Sequence, residues 1–360
     1  YKMAFSELES SGLKNLSNIS VWGNGGKKLP YMNNEISPDD LQPIPLYIEK
    51  GSDGIFNSGD YILFYAKGPR TMQYSSLVDM WTIEQHPYTN KTHYFLTTDQ
   101  PQNIIAMLPE PSHPVTNIAS GYDAVVLFEQ NDTNLVKSGR EWFGETFDLT
   151  TTRAYNTTLS NPEPGSTLKV WIRAAARSSA SSSFTLKVNA ELIGSLPISN
   201  VNVGDDLSDV AAVASKVYAT NIPSGNLTLN LSFNKPNSTA VGWLDFIAVN
   251  ARQLLTYNST QLLFHDLQTV GSGNITQFKL QNSNSNIQIW DITDINSTKR
   301  LPISFSDNTS VFNCKTDTLR HFIAFEPSNA LPVRIEGKVA NQNLHGLSQP
   351  DMVIVTHANF

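Results

Sequence analysis

The residues able to do chemistry in this chain are few and scattered. Cys314 is the single cysteine. One thiol excludes an internal disulfide and a cysteine-based zinc site. It sits in Ser310-Val311-Phe312-Asn313-Cys314-Lys315, with no histidine-bearing motif beside it, so it reads as a structural cysteine rather than a nucleophile. His86, His93 and His113 lie close in sequence, and three imidazoles could ligate zinc. Two of them adjoin Pro87 and Pro114 in apparent loops, and no i, i+4 spacing places them on one face. No serine stands in a Gly-x-Ser-x-Gly elbow. His345 and His357 flank the last segment, and neither carries an assignable role.

Two loops imitate ligand sites. Residues 49–60 run Glu49-Lys50-Gly51-Ser52-Asp53-Gly54-Ile55-Phe56-Asn57-Ser58-Gly59-Asp60, twelve residues with Asp53 and Gly54 at the fifth and sixth positions and Asp60 at the last. That is the outline of a Ca²⁺ loop, but the first position is Glu and the third is Gly. A ligand is missing and a strand follows, so the competing reading is an Asp-Gly turn between two strands. Gly23-Asn24-Gly25-Gly26-Lys27 hints at a phosphate loop, but Val21 stands where that motif needs its first glycine. A turn is the better reading.

Aromatics offer a third kind of site. Trp142, Trp171 and Trp243 belong to one stretch of alternating strands. Trp171 falls on the face opposite Leu168, Val170 and Ile172, which makes it the candidate for stacking on a sugar ring. Core packing or an interdomain contact is the competing use. No carboxylate pair around it has a glycosidase pattern.

The elements that must position these residues are almost all strands. The 360 residues permit two or three domains. Charged residues make up 16% against the usual ~25%, and Asn, Ser and Thr supply the polarity instead. Asn-x-Ser/Thr triplets recur, as chance provides in such a chain. The net charge of -7, with no basic stripe, argues against a nucleic-acid partner. No apolar run is long enough to make a transmembrane segment. Tyr1 is not a natural start, which fits a removed leader.

Residues 1–115 form an N-terminal β domain of short strands and Gly/Asn turns, closed by prolines at 101, 109, 111 and 114. Residues 122–252 carry clean period-two alternation: Leu168, Val170, Ile172; Phe184, Leu186, Val188; Leu227, Leu229, Leu231, Phe233. Such strands joined by polar turns predict a jelly-roll β-sandwich. A short helix is expected from Asp205 or Asp206 towards Tyr218. Residues 255–345 give strands again, Val333-Arg334-Ile335 among them. They either make a sheet of their own or complete that of residues 1–115, leaving the sandwich as an insertion. The fold class is thus mainly β, with two or three antiparallel domains. The last residues, Pro350 to Phe360, hold the apolar run Met352-Val353-Ile354-Val355, which reads as a strand buried on both faces. Such a strand would open a truncated α/β domain over residues 346–360, and without parallel neighbours it should pair poorly.

Several blocks in order resemble a known family: Ser20-Val21-Trp22-Gly23-Asn24-Gly25-Gly26; Ile48-Glu49-Lys50-Gly51-Ser52-Asp53-Gly54 leading to Tyr61-Ile62-Leu63-Phe64-Tyr65; Trp142-Phe143-Gly144-Glu145; Ile289-Trp290-Asp291-Ile292-Thr293-Asp294; and Asn343-Leu344-His345 leading to Asp351-Met352-Val353-Ile354-Val355-Thr356-His357. They resemble the sortases of the Bacteroidetes type IX secretion system, in the gingipain-type cysteine peptidase family. The resemblance implies the non-catalytic N-terminal region of a protein on the extracellular face of the outer membrane. The parent's caspase-like domain, with a His/Cys dyad, would cut C-terminal signal domains from secreted cargo and join the cargo to anionic lipopolysaccharide. Its implied partners are that cargo and a PorV-like outer-membrane barrel protein. Both dyad residues would lie beyond Phe360, so no catalytic residue and no resident cofactor is expected here. A surface carbohydrate-binding β-sandwich and a purely structural module are the rival readings.

Overall fold

The computed structural model describes the chain except residues 27, 31, 33, 138–140, 206, 222, 224, 259, 341–345, 355 and 357–360. The first stretch contains β1 (Lys2–Ala4), a six-residue helix α1 (Phe5–Ser10), β2 (Ser20–Gly23), β3 (Gln42–Ile44), β4 (Leu46–Glu49), β5 (Tyr61–Phe64), β6 (Arg70–Ser75), β7 (Met80–Gln85), β8 (Phe95–Thr97), β9 (Ala106–Met107) and β10 (Asn117–Ala119). Sheets β1-β5-β4 and β3-β2-β8 close on a core of Met3, Leu8, Ile19, Val21, Ile44, Leu46, Ile62 and Phe64. Ile62 and Phe64 face that core, while Leu63 packs against Trp290, Ile323 and Phe325. Strand β5 is therefore buried on both faces, which explains its unbroken apolar sequence. The glycine turn after β2 is shaped by packing. Gly25 and Gly26 have φ of 72° and 66°, and a side chain there would strike Ile295 and Thr92. Lys27 lies outside the described residues.

The middle stretch holds β11 (Gly121–Glu129), β12 (Thr146–Phe147), β13 (Thr152–Leu159), β14 (Thr167–Arg177), β15 (Ser182–Val188), β16 (Glu191–Ile198), β17 (Ala212–Asn221), β18 (Gly225–Asn234) and β19 (Val241–Leu254). One sheet runs β11-β19-β14-β17, with β12 on β19; the other runs β13-β18-β15-β16. Most connections in this stretch pass from one sheet to the other. The alternating residues of both sheets meet inside: Leu168, Val170, Ile172, Phe184, Leu186, Leu229, Leu231 and Ile247 are all at most 1% exposed. Burying each such side chain favours folding by roughly 1.5–3 kcal/mol. A two-residue turn joins β15 to β16, with Asn189 and Ala190 at φ of 46° and 72°, the backbone that tight hairpins require.

The helix expected between Asp205 and Tyr218 is not formed. Residues 212–221 are instead strand β17, paired antiparallel with β14 from Ala212↔Ala176 to Asn221↔Thr167. An alanine-rich segment has helical propensity, but the open edge of β14 offers a full hydrogen-bond ladder and outweighs it. Asp206 lies outside the described residues.

The last stretch contains β20 (Leu262–His265), β21 (Ile275–Gln281), β22 (Gln288–Asp291), β23 (Lys299–Arg300), β24 (Ser304–Ser306), β25 (Thr309–Lys315) and β26 (His321–Phe325). Its two sheets, β20-β26-β22-β23-β9 and β10-β21-β25-β24, each take one strand from the first stretch. They enclose Phe264, Phe278, Phe312 and Phe322, with Phe278 and Phe312 stacked at 5.0 Å. The sandwich thus leaves the chain after β10 and returns it before β20. Val333-Arg334-Ile335 is not a strand. Pro332 makes a single bridge to Lys2, and Val333 packs on the N-terminal core. Met352, Val353 and Ile354 are 73–76% exposed and belong to no described strand, rather than being buried on both faces.

Candidate functional site: a histidine pair where three segments meet

The densest unusual chemistry lies where hairpin β6–β7, the sandwich and the last stretch converge. His265 ends β20 and His321 begins β26, and the antiparallel register sets them directly opposite. Opposed side chains on one face stand about 5 Å apart. Their ring centroids are 5.1 Å apart. Phe264 and Phe322, their chain neighbours, point to the other face and into the core. Trp81 of β7 covers the histidines, its ring 4.3 Å from His265 and 6.3 Å from His321, both edge-on. Asn250 on β19 places that strand. Its Oδ1 accepts from the Trp81 amide at 2.5 Å, and its Nδ2 donates to the Trp81 carbonyl at 2.8 Å.

A charged network adjoins the pair. Arg252 on β19 lies opposite Asp123 on β11 and bonds it at 3.0 Å. It also forks onto Asp266, at 2.6 and 3.2 Å, and reaches Glu163 at 3.1 Å. Asp266 follows His265 in the chain, and its carboxylate also caps the next turn through the Gln268 amide. Asp123 accepts from the Leu267 amide at 2.8 Å. One guanidinium therefore ties the sandwich to the last stretch. Burial raises the Asp266 pKa against the pull of Arg252; burial also works against the Arg252 charge, but the carboxylates outweigh it and hold Arg252 above its ordinary range.

His265 is 3% exposed, and its Nε2 has no hydrogen-bond partner. Burial first, then the neighbouring His321, lower its pKa to about 4, while Asp123 opposes the shift. His321 is lowered by burial and by Lys67, against Asp291. Burial thus favours the neutral form of both rings. The arrangement can change charge when acidified, and it holds segments together. The Cys314 thiol is 1% exposed, and burial pushes its pKa up to about 12, beside Asp291. At neutral pH it is no thiolate nucleophile.

The residues singled out in the sequence are not brought together. His86 stacks edge-on with Tyr88, His113 contacts Ser112, and His93 is exposed. No group of three or more metal-binding side chains occurs among the described residues. His345 and His357 lie outside them. In the 49–60 loop, Asp53 accepts from the Ile55 amide and the Asn57 side chain, and Asp60 accepts from the Asn57 amide, all at 2.8–2.9 Å. These bonds close the turn between β4 and β5. Trp171 is half-buried on the outer face of its sheet, edge-on to Phe246 at 5.1 Å. The histidine pair escaped sequence reading because 56 positions separate its members; the faint signal was a histidine beside a core phenylalanine at the end of one strand and the start of another.

No family model matches the sequence, and no curated protein matches it. Among solved structures, the chain is similar to dimeric latent PorU from Porphyromonas gingivalis, at a TM-score of 0.84 and 24% identity over 98% of this chain. The match covers 33% of that protein, so this chain spans about a third of its length. The fold is therefore PorU-like over 98% of the chain. A CBM36 domain of a multidomain xylanase from the hindgut metagenome of Trinervitermes trinervoides matches 35% of the chain at 13% identity. A Paenibacillus cycloisomaltooligosaccharide glucanotransferase matches 62% at 12%. Their TM-scores of 0.25 and 0.23 are too low to carry an argument. No helix among the described residues is long and apolar enough to cross a membrane.

Proposed function

We propose that this chain is the non-catalytic N-terminal region of a PorU-like sortase, and that it supports, positions or docks a gingipain-type peptidase domain. The observation that carries the reading is the extent of the likeness, which runs over 98% of the chain rather than over the sandwich alone. The knitting of the first and last stretches into shared sheets, and the Arg252 tie between sandwich and last stretch, suit a rigid support. On this reading the parent works at the extracellular face of the outer membrane. It removes C-terminal signal domains from type IX secretion cargo, joins the cargo to lipopolysaccharide, and docks on a PorV-like barrel. The 360 residues alone are inactive.

The reading is tested by the gene beyond Phe360. It expects a caspase-like segment carrying a histidine and then a cysteine, and a parent protein whose signal-domain cleavage is abolished by replacing that cysteine. A stop codon soon after Phe360 ends the proposal.

A further inference from the structure

A cleft of about 530 Å³ lies at the open end of hairpin β6–β7, away from the histidine pair. That volume falls in the ~300–1,000 Å³ range of small-molecule sites. Its working residues are Arg70, Gln85, His86, Tyr88, Asn90 and Asn131. The hairpin end is closed by the His86 amide donating to the Pro69 carbonyl at 2.9 Å. Tyr88 is 81% exposed, far more than packing explains for a ring of its size. His86 holds it edge-on at 6.0 Å, and the Tyr88 amide donates to His86 Nδ1 at 3.2 Å. His86 Nδ1 thus accepts, which leaves Nε2 as the ring's donor.

Glu129 ends β11 next to the side chains of Gln85 and Asn131. The cleft thus combines an exposed aromatic plane with amide, guanidinium and imidazole side chains. A saccharide ring complements that set. It has a C–H face that packs on an aromatic plane, and vicinal hydroxyls that both donate and accept.

We propose that this cleft binds a saccharide, with Tyr88 stacking on the ring, the Gln85 and Asn131 amides hydrogen-bonding to its hydroxyls, and Arg70 and His86 donating to them. The site is distinct from Trp171 and does not depend on the sortase reading.

The test is saturation-transfer NMR and calorimetry on the 360-residue chain, with the methyl glycosides of glucose, galactose, mannose, N-acetylglucosamine and glucuronate. At least one should bind saturably. Tyr88→Ala and Asn131→Ala should each weaken that binding about tenfold or more at an unchanged melting temperature, because Tyr88 faces solvent. Trp171→Ala should leave it intact. No binding across the panel overturns the proposal. So does binding that survives Tyr88→Ala, or binding that Trp171→Ala alone abolishes. None of these outcomes bears on what the gene encodes beyond Phe360.

Discussion

His265 and His321 face each other across β20 and β26 with ring centroids 5.1 Å apart, under the edge of Trp81. Two imidazoles so close cannot both charge cheaply in a buried site. Arg252, Asp123, Lys67 and Asp291 also act electrostatically on the two rings. The pair is therefore the acid-sensitive point of the junction.

Stability should fall on acidification through this pair. The unfolded chain binds the His265 proton at an ordinary 6.5, whereas the folded chain resists until about 4. Between these values the unfolded state holds more protons, so stability rises with pH across the window and is complete above it. The difference amounts to roughly 3 kcal/mol, and His321 adds in the same direction. Urea unfolding at pH 7.5 and 4.5 measures it. His265→Phe should flatten the dependence, and an unchanged slope in that variant would remove His265 as its source.

Arg252→Ala should destabilise the fold by about 3–5 kcal/mol, because it strands Asp266, whose side chain is 3% exposed, without its cation. The urea midpoint reports this. A loss under 1 kcal/mol, roughly the value of a surface pair, would show that water replaces the guanidinium.

Asn250→Ala should loosen hairpin β6–β7 without unfolding the sandwich. It removes both hydrogen bonds that hold the Trp81 backbone. The expected readout is faster amide exchange across residues 70–85 with protection unchanged in β14 and β18. Uniform loss of protection would mean that the hairpin is not a separate unit.

Gly242→Val should destabilise the sandwich core. Even a Cβ at this position would lie 2.7 Å from Phe184 and 3.1 Å from Phe233, both buried. Overpacking of this kind costs about 1–3 kcal/mol, visible as a lower melting temperature. A neutral effect would show that the two rings can separate.

Ca²⁺ or a chelator should leave the melting temperature unchanged. The Asp53 and Asp60 carboxylates already accept hydrogen bonds that close their turn. A rise of several degrees with Ca²⁺ would assign the loop as an ion site.

The sequence by itself determined the strand-rich class and the inner face of the sandwich. Leu168, Val170 and Ile172 alternate with period two, and a half-buried strand allows no other placement of such a pattern. The order of its family-like blocks also anticipated the PorU-like fold. Other features depended on partners distant in the chain. Residues 212–221 are a strand because β14 had an open edge. Strands β9 and β10 joined sheets whose other members lie more than 150 residues away. The histidine pair exists only because the antiparallel register set His265 against His321. Local alternation is written in neighbouring residues, but register, edge pairing and a shared low-dielectric pocket arise only when separate segments bury the same surface.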